Sequence, residues 1–129
     1  MKYLGIDFGS KRIGLAVSDE TGRLAFPHSV ILNSKNILDE VSELIKKEKI
    51  DEIVIGESNN FTGEPNKIMA EIEKFKNEIT EKTKLKVYFE SEFMTSVQAK
   101  QIQGENLMHD ASAAAIILQS FLDRNSHML

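Results

Sequence analysis

Apolar residues follow two rhythms along the chain. In the first third they come in short runs. Lys2–Phe8 (KYLGIDF) is closed by Gly9 and Ser10, and Ile13–Ser18 (IGLAVS) has the same character. Asp19-Glu20-Thr21-Gly22 supplies turn residues before a third run, Leu24–Leu32, so the three runs predict strands joined as an antiparallel meander. Pro27 lies inside the third run and predicts an edge strand or a bulge there. The period then lengthens. Ile37, Leu38, Val41, Leu44 and Ile45 share one helical face, which predicts a helix over Asn36–Glu48 with Ser34 as its N-cap. Glu52–Ile55 reads as a buried strand ended by Gly56, and a polar stretch, Glu57–Gly63, follows. Pro65 opens a second helix whose apolar face is Ile68, Met69, Ile72, Phe75 and Ile79. Leu85–Phe89 is a fifth strand. Thr95-Ser96-Val97-Gln98 has the capping-box pattern, so a helix is expected to begin near Ser96. Gly104–His109 interrupts it, and Asp110–Asp123 is a last helix rich in Ala, Ile and Leu.

The predicted order is β-β-β-α-β-α-β-α-α. A hairpin meander followed by αβ crossovers requires a mixed five-stranded sheet with helices on both faces, an α/β fold. The chain has 129 residues, which suits one domain over 1–124 with a loose tail at 125–129. Hydrophobic residues at 41% and charged residues at 28% are a globular balance, so the core needs no staple. Cysteine is absent, which excludes a disulfide framework, a thiolate nucleophile and Cys-ligated metal. No apolar run approaches the roughly 20 residues of a membrane span, so a soluble cytoplasmic protein is expected. The net charge of −4 weighs mildly against a nucleic-acid partner, though a local basic patch can act beside an acidic metal site.

Three acids stand out by position. Asp7 sits inside an apolar run, between Ile6 and Phe8, where a charge is costly without a partner or a task. Glu92 follows the fifth strand just before the capped helix, and Asp110 opens the last helix beside Ala111, Ala113 and Ala114. If the first strand is central these places can converge, and carboxylates alone would make an oxygen site for Mg²⁺ or Mn²⁺. Two such ions about 4 Å apart activate water and stabilise a leaving oxygen in phosphodiester hydrolysis. The plainer alternative is that Asp7 forms a turn and that Glu92 and Asp110 serve as caps or dipole partners. Gly5–Gly14 (GIDFGSKRIG) spaces glycines around Asp7, with Lys11 and Arg12 on the connecting turn available to phosphate oxygens. It lacks the GxxxxGK[ST] spacing of a Walker loop. Lys46, Lys47 and Lys49 form a small basic run at a helix end, and Phe61 is an aromatic on a polar loop.

The segment Leu4–Asp19 (LGIDFGSKRIGLAVSD) closely resembles the opening motif of the YqgF family. These are RNase H-like proteins described as candidate Holliday junction resolvases and as pre-16S rRNA 5′-end nucleases. Ile53-Val54-Ile55-Gly56 is similar to the family's strand-and-glycine segment, Val87–Ser96 occupies the place of its acidic Thr-Thr motif, and Met108–Leu122 resembles its closing Asp-Ala-x-Ala-Ala helix. The resemblance implies an RNase H-like fold and a hydrolase dependent on Mg²⁺ or Mn²⁺, with two ions when substrate is bound. Asp7, Glu92 and Asp110 fall on the family's catalytic, metal-binding acids. Lys11, Arg12, Thr95 and Ser96 fall on nucleic-acid contacts. The implied partners are pre-rRNA or branched DNA, met by a monomer or homodimer without a membrane.

Two departures accompany the resemblance. The family pattern Asp-Glu-Arg-Leu-Thr-Thr is here Ser91-Glu92-Phe93-Met94-Thr95-Ser96, so Phe93 replaces an arginine suited to phosphoryl charge. Glu90 becomes the acid in place of Glu92 if the register shifts by two. Glu57-Ser58-Asn59-Asn60 also lacks the usual proline after the strand glycine. Processing of pre-16S rRNA is the leading expectation. The alternatives are resolution of four-way DNA junctions, or an RNA- or ribosome-binding module with weak catalysis.

Overall fold

The computed structural model describes residues 1–57, 67–91 and 109–126. Five strands form one sheet: β1 (Tyr3–Phe8), β2 (Arg12–Ser18), β3 (Ala25–Leu32), β4 (Glu52–Glu57) and β5 (Val87–Ser91). Their order is β3-β2-β1-β4-β5, so β1 is central. It pairs antiparallel with β2 and parallel with β4, and β4 pairs parallel with β5. This is the mixed sheet that the meander and crossovers require.

Strand alternation sends two different sets of side chains to the two faces. Leu4, Ile6 and Phe8 of β1, with Ile13 and Leu15 of β2 and Ile53 and Ile55 of β4, pack against two helices. These are α1 (Ile37–Glu48), through Val41 and Ile45, and α2 (Lys67–Thr83), through Ile72, Phe75 and Ile79. The opposite face carries Ala16 and Val54 and is covered by α3 (His109–Ser126) through Ala114, Ile117, Leu118 and Phe121. That face is made of small residues where α3 crosses β1. A Cβ on Gly5 would stand 2.8 Å from Leu118 Cβ and 3.1 Å from the Ala114 carbonyl oxygen. The Ala-rich start of α3 and Gly5 together let helix and sheet approach this closely.

Several local expectations are refined. Pro27 lies on the edge strand and pairs with Ala16 at a register shift between Leu15 and Ala16, so it is both edge and bulge. The N-cap of α1 is Asn36, not Ser34. The Ser34 hydroxyl accepts the Asn36 N–H at 3.3 Å instead, a turn contact that competes with capping. Strand β4 continues through Gly56 to Glu57, and β5 runs Val87–Ser91, later than Leu85–Phe89. Helix α3 extends to Ser126, two residues into the stretch expected to be a tail. The helix expected near Ser96 and the Pro65 start lie outside the described residues.

The β2–β3 turn is built on one carboxylate. Asp19 accepts hydrogen bonds from Thr21 Oγ1 at 2.6 Å and from the backbone N–H groups of Arg23 and Leu24 at 2.9 and 3.2 Å. The Thr21 hydroxyl first, then those two amides, hold its carboxyl down at about 2, against an ordinary 3.8. A folded value below the unfolded one means the contribution is complete above pH 3.8 and is lost as pH falls toward about 2. The difference in Tm between wild type and Asp19→Asn is therefore expected to shrink through that window. A difference that stays constant across it would contradict this role.

Candidate functional site

Asp7 is the penultimate residue of the central strand and points to the α3 side of the sheet, because it shares parity with Tyr3 and Gly5. Its neighbours on that face are glycines. Asp7 pairs with Gly14 of β2. On the other side, the parallel register Ile6–Ile55 carried one residue on sets Gly56 beside it. A half-buried carboxylate thus stands at the end of an otherwise apolar strand with no side chain on the position to either side.

Helix α3 runs over this face from the Asp7 end. The Tyr3 and Phe121 rings are 5.8 Å apart, and Gly5 lies under Ala114 and Leu118. Ala111, in the first turn of α3, is fully buried, so the start of the helix that carries Asp110 is itself packed.

The β1–β2 turn beside Asp7 is braced from the end of β3. Asn33 donates from Nδ2 to the Gly9 carbonyl at 2.9 Å and from its backbone N–H to the Lys11 carbonyl at 2.9 Å. A Cβ on Gly9 would lie 2.4 Å from the Arg12 carbonyl oxygen, so only glycine allows this turn to close. Lys11 and Arg12 are exposed at its tip. Glu92, Thr95 and Ser96 lie outside the described residues, as do Phe93 and Phe61. Among the described residues no group of three metal-ligating side chains occurs.

Glu90 is the acid the sequence left as an alternative to Glu92. It is 4% exposed, and both its oxygens are engaged by α3. Ser120 Oγ donates to Oε2 at 2.6 Å, and the Arg124 guanidinium donates to Oε1. Gly56 pairs with Glu90, so Glu90 shares the level of Asp7 but lies two strands away, about 10 Å. Its work is to tie β5 to the second half of α3. Sequence reasoning did not single out Ser120 and Arg124. Their i, i+4 spacing on one helix, facing an acid near a strand end, is the signal that marks them.

The profile of the family described as RuvX, Holliday junction resolvase, matches residues 1–124. The chain belongs to the RuvX family. RuvX relatives extend over nearly the whole chain. One from Anaplasma marginale is 36% identical, covering 95% of this chain and 84% of its own, and is named as a candidate pre-16S rRNA nuclease. Another, from a Sulfurihydrogenibium species, is 35% identical over 97% and 92% and carries the same name. Among solved structures, RuvC of T. thermophilus in complex with a Holliday junction substrate aligns with a TM-score of 0.67 at 20% identity. It covers 98% of this chain and 96% of its own. At that identity the likeness concerns the fold. This RuvX chain has the RNase H-like architecture that its opening motif implied, and none of its described helices is long and apolar enough to cross a membrane.

Proposed function

We propose that the protein is a divalent-metal-dependent nuclease that matures the 5′ end of pre-16S rRNA in the cytoplasm. The observation that carries this reading is the place of Asp7. It is a half-buried carboxylate at the end of the central strand, on the face that α3 covers and flanked by Gly14. The names of the relatives support the RNA substrate.

The donor chemistry fits a hard cation. Asp7, Glu92 and Asp110 offer carboxylate oxygens only, and the chain has no cysteine. Asp7, Glu92 and Asp110 would hold the ions. Bound there, the cations supply charge neutralisation at the scissile phosphate and a water acidic enough to attack phosphorus. The chain's own part is positional. The bare backbone at Gly14 and Gly56 leaves a phosphodiester room beside Asp7. Lys11 and Arg12 on the braced turn would hold a neighbouring phosphate, and Thr95 and Ser96 would offer hydroxyls to another. Cleavage would leave a 5′-phosphate and a 3′-hydroxyl.

The second reading, resolution of four-way DNA junctions, rests on the family's description and on the likeness to RuvC. Incubation of labelled pre-16S 5′-leader RNA and a synthetic four-way junction with Mn²⁺ or EDTA separates the two. Metal-dependent cutting of the RNA is expected. Preferential cutting of the junction would favour the second reading. Binding without cutting of either would mean that Phe93 in place of the family arginine leaves only a binding module.

A further inference from the structure

The basic run at the end of α1 borders a hollow that the nuclease reading does not use. It lies between the C-terminal ends of α1 and α2, with a volume of roughly 370 Å³. That is near the small end of ligand-binding sites. Its floor is apolar, made by Ile45, Ile50 and Leu85, and its rim carries Lys46, Lys49 and Lys82 with no acidic residue. Ile50 and Leu85 precede β4 and β5, so the hollow sits at the opposite end of the parallel strands from Asp7, on the α1–α2 side.

Three features make this more than a solvated helix end. Lys46 and Lys49 form no ion pair among the described residues, and Lys82 reaches outward to Asp39 at 2.9 Å. The backbone fixes where Lys49 leaves the chain. It caps α1 in a left-handed conformation (φ 56, ψ 51), with its N–H on the Ile45 and Lys46 carbonyls. Ser42 also lines the hollow, is 5% exposed, and its hydroxyl has no hydrogen-bond partner among the described residues. Lysines at helix C-termini complement the dipole. The dipole explains neither an apolar floor nor an orphaned buried hydroxyl. The other hydroxyl there is satisfied, since Thr83 Oγ1 donates to the Ile79 carbonyl and accepts the Leu85 N–H.

We propose that this hollow is a second binding site, for a nucleoside phosphate, with the base on the apolar floor and the phosphate between Lys46 and Lys49. The dianionic phosphate monoester suits a rim of ammonium groups. The nucleotide is either free or the phosphate-bearing end of a strand.

The test titrates the full chain, in EDTA, with AMP, UMP, adenosine, inorganic phosphate and a short single-stranded RNA bearing a terminal phosphate. Amide NMR shifts at Ser42, Lys46, Lys49 and Leu85 are read. Saturable shifts by the mononucleotides are expected, with adenosine and inorganic phosphate each at least about tenfold weaker. The double variant Lys46→Gln/Lys49→Gln weakens the nucleotide about tenfold. Asp7→Asn binds as wild type. Tighter binding of the RNA end than of free nucleotide identifies a strand as the source, and the reverse identifies the free compound. No saturable shift at these amides at millimolar nucleotide overturns the proposal. So does insensitivity to the lysine substitutions, or inorganic phosphate binding as tightly as AMP.

Discussion

The Asp7→Asn variant is expected to lose more than about a hundredfold of metal-dependent cleavage while its Tm stays unchanged or rises. The size follows from the proposed role. Removing groups that merely orient a metal ligand typically costs about 10–100-fold, and Asp7 is proposed as a ligand itself. The direction of the stability change follows from position. Asp7 sits half-buried at the end of an apolar strand. Asparagine keeps the shape and removes the charge, and sites held for function are where such changes stabilise. A circular-dichroism melt and a cleavage time course on the same preparation check both halves. Full activity in the variant would end the assignment. A large fall in Tm would make Asp7 a structural residue.

Gly5→Val is expected to unfold the domain at a temperature lower by about 8 °C, from about 2 kcal/mol of destabilisation. Even a single Cβ at this position meets Leu118 Cβ at 2.8 Å and the Ala114 carbonyl at 3.1 Å. One of those contacts is backbone, so relief requires α3 to move off β1. Gly5 lies two residues before Asp7 on the same face of β1, so that movement also disturbs the surroundings of Asp7, and cleavage at 25 °C should fall beyond the fraction unfolded. Ala111 and Ala114 are fully buried, which leaves no slack along the same seam. A Gly5→Val protein with wild-type Tm and activity would show that close packing of α3 does not set the site. The comparison variant is Ile116→Val, on a half-exposed position of the same helix, where a smaller effect is expected.

The parts of this fold that were legible in the sequence are the ones set by near neighbours. Alternation and the Asp19–Gly22 turn gave the meander, and the spacing from Ile37 to Ile45 gave α1. Pro27 marked its own edge and bulge. Asp7 was legible for an energetic reason, since a carboxylate inside KYLGIDF has to be accounted for. What was hidden depends on distant chain. The setting of Gly56 beside Asp7 needs the register of β1 on β4, which no local pattern encodes. Glu90 and Glu92 look interchangeable two residues apart. They are told apart only by Ser120 and Arg124, some thirty residues on, which claim both oxygens of Glu90. The lysines of the α1 end read as a solvated helix end until Lys82 of α2 is brought to the same hollow.

The central claim is that Asp7, Glu92 and Asp110 share one metal site. Fe²⁺-directed hydroxyl-radical cleavage of the protein backbone tests it most directly, because a bound iron cuts only the chain segments that surround it. With Fe²⁺ in place of Mg²⁺, cuts are expected together near residues 7, 92 and 110, suppressed by excess Mg²⁺ and absent from Asp7→Asn. Cuts at only one of the three segments, or a pattern unchanged in Asp7→Asn, would contradict the account.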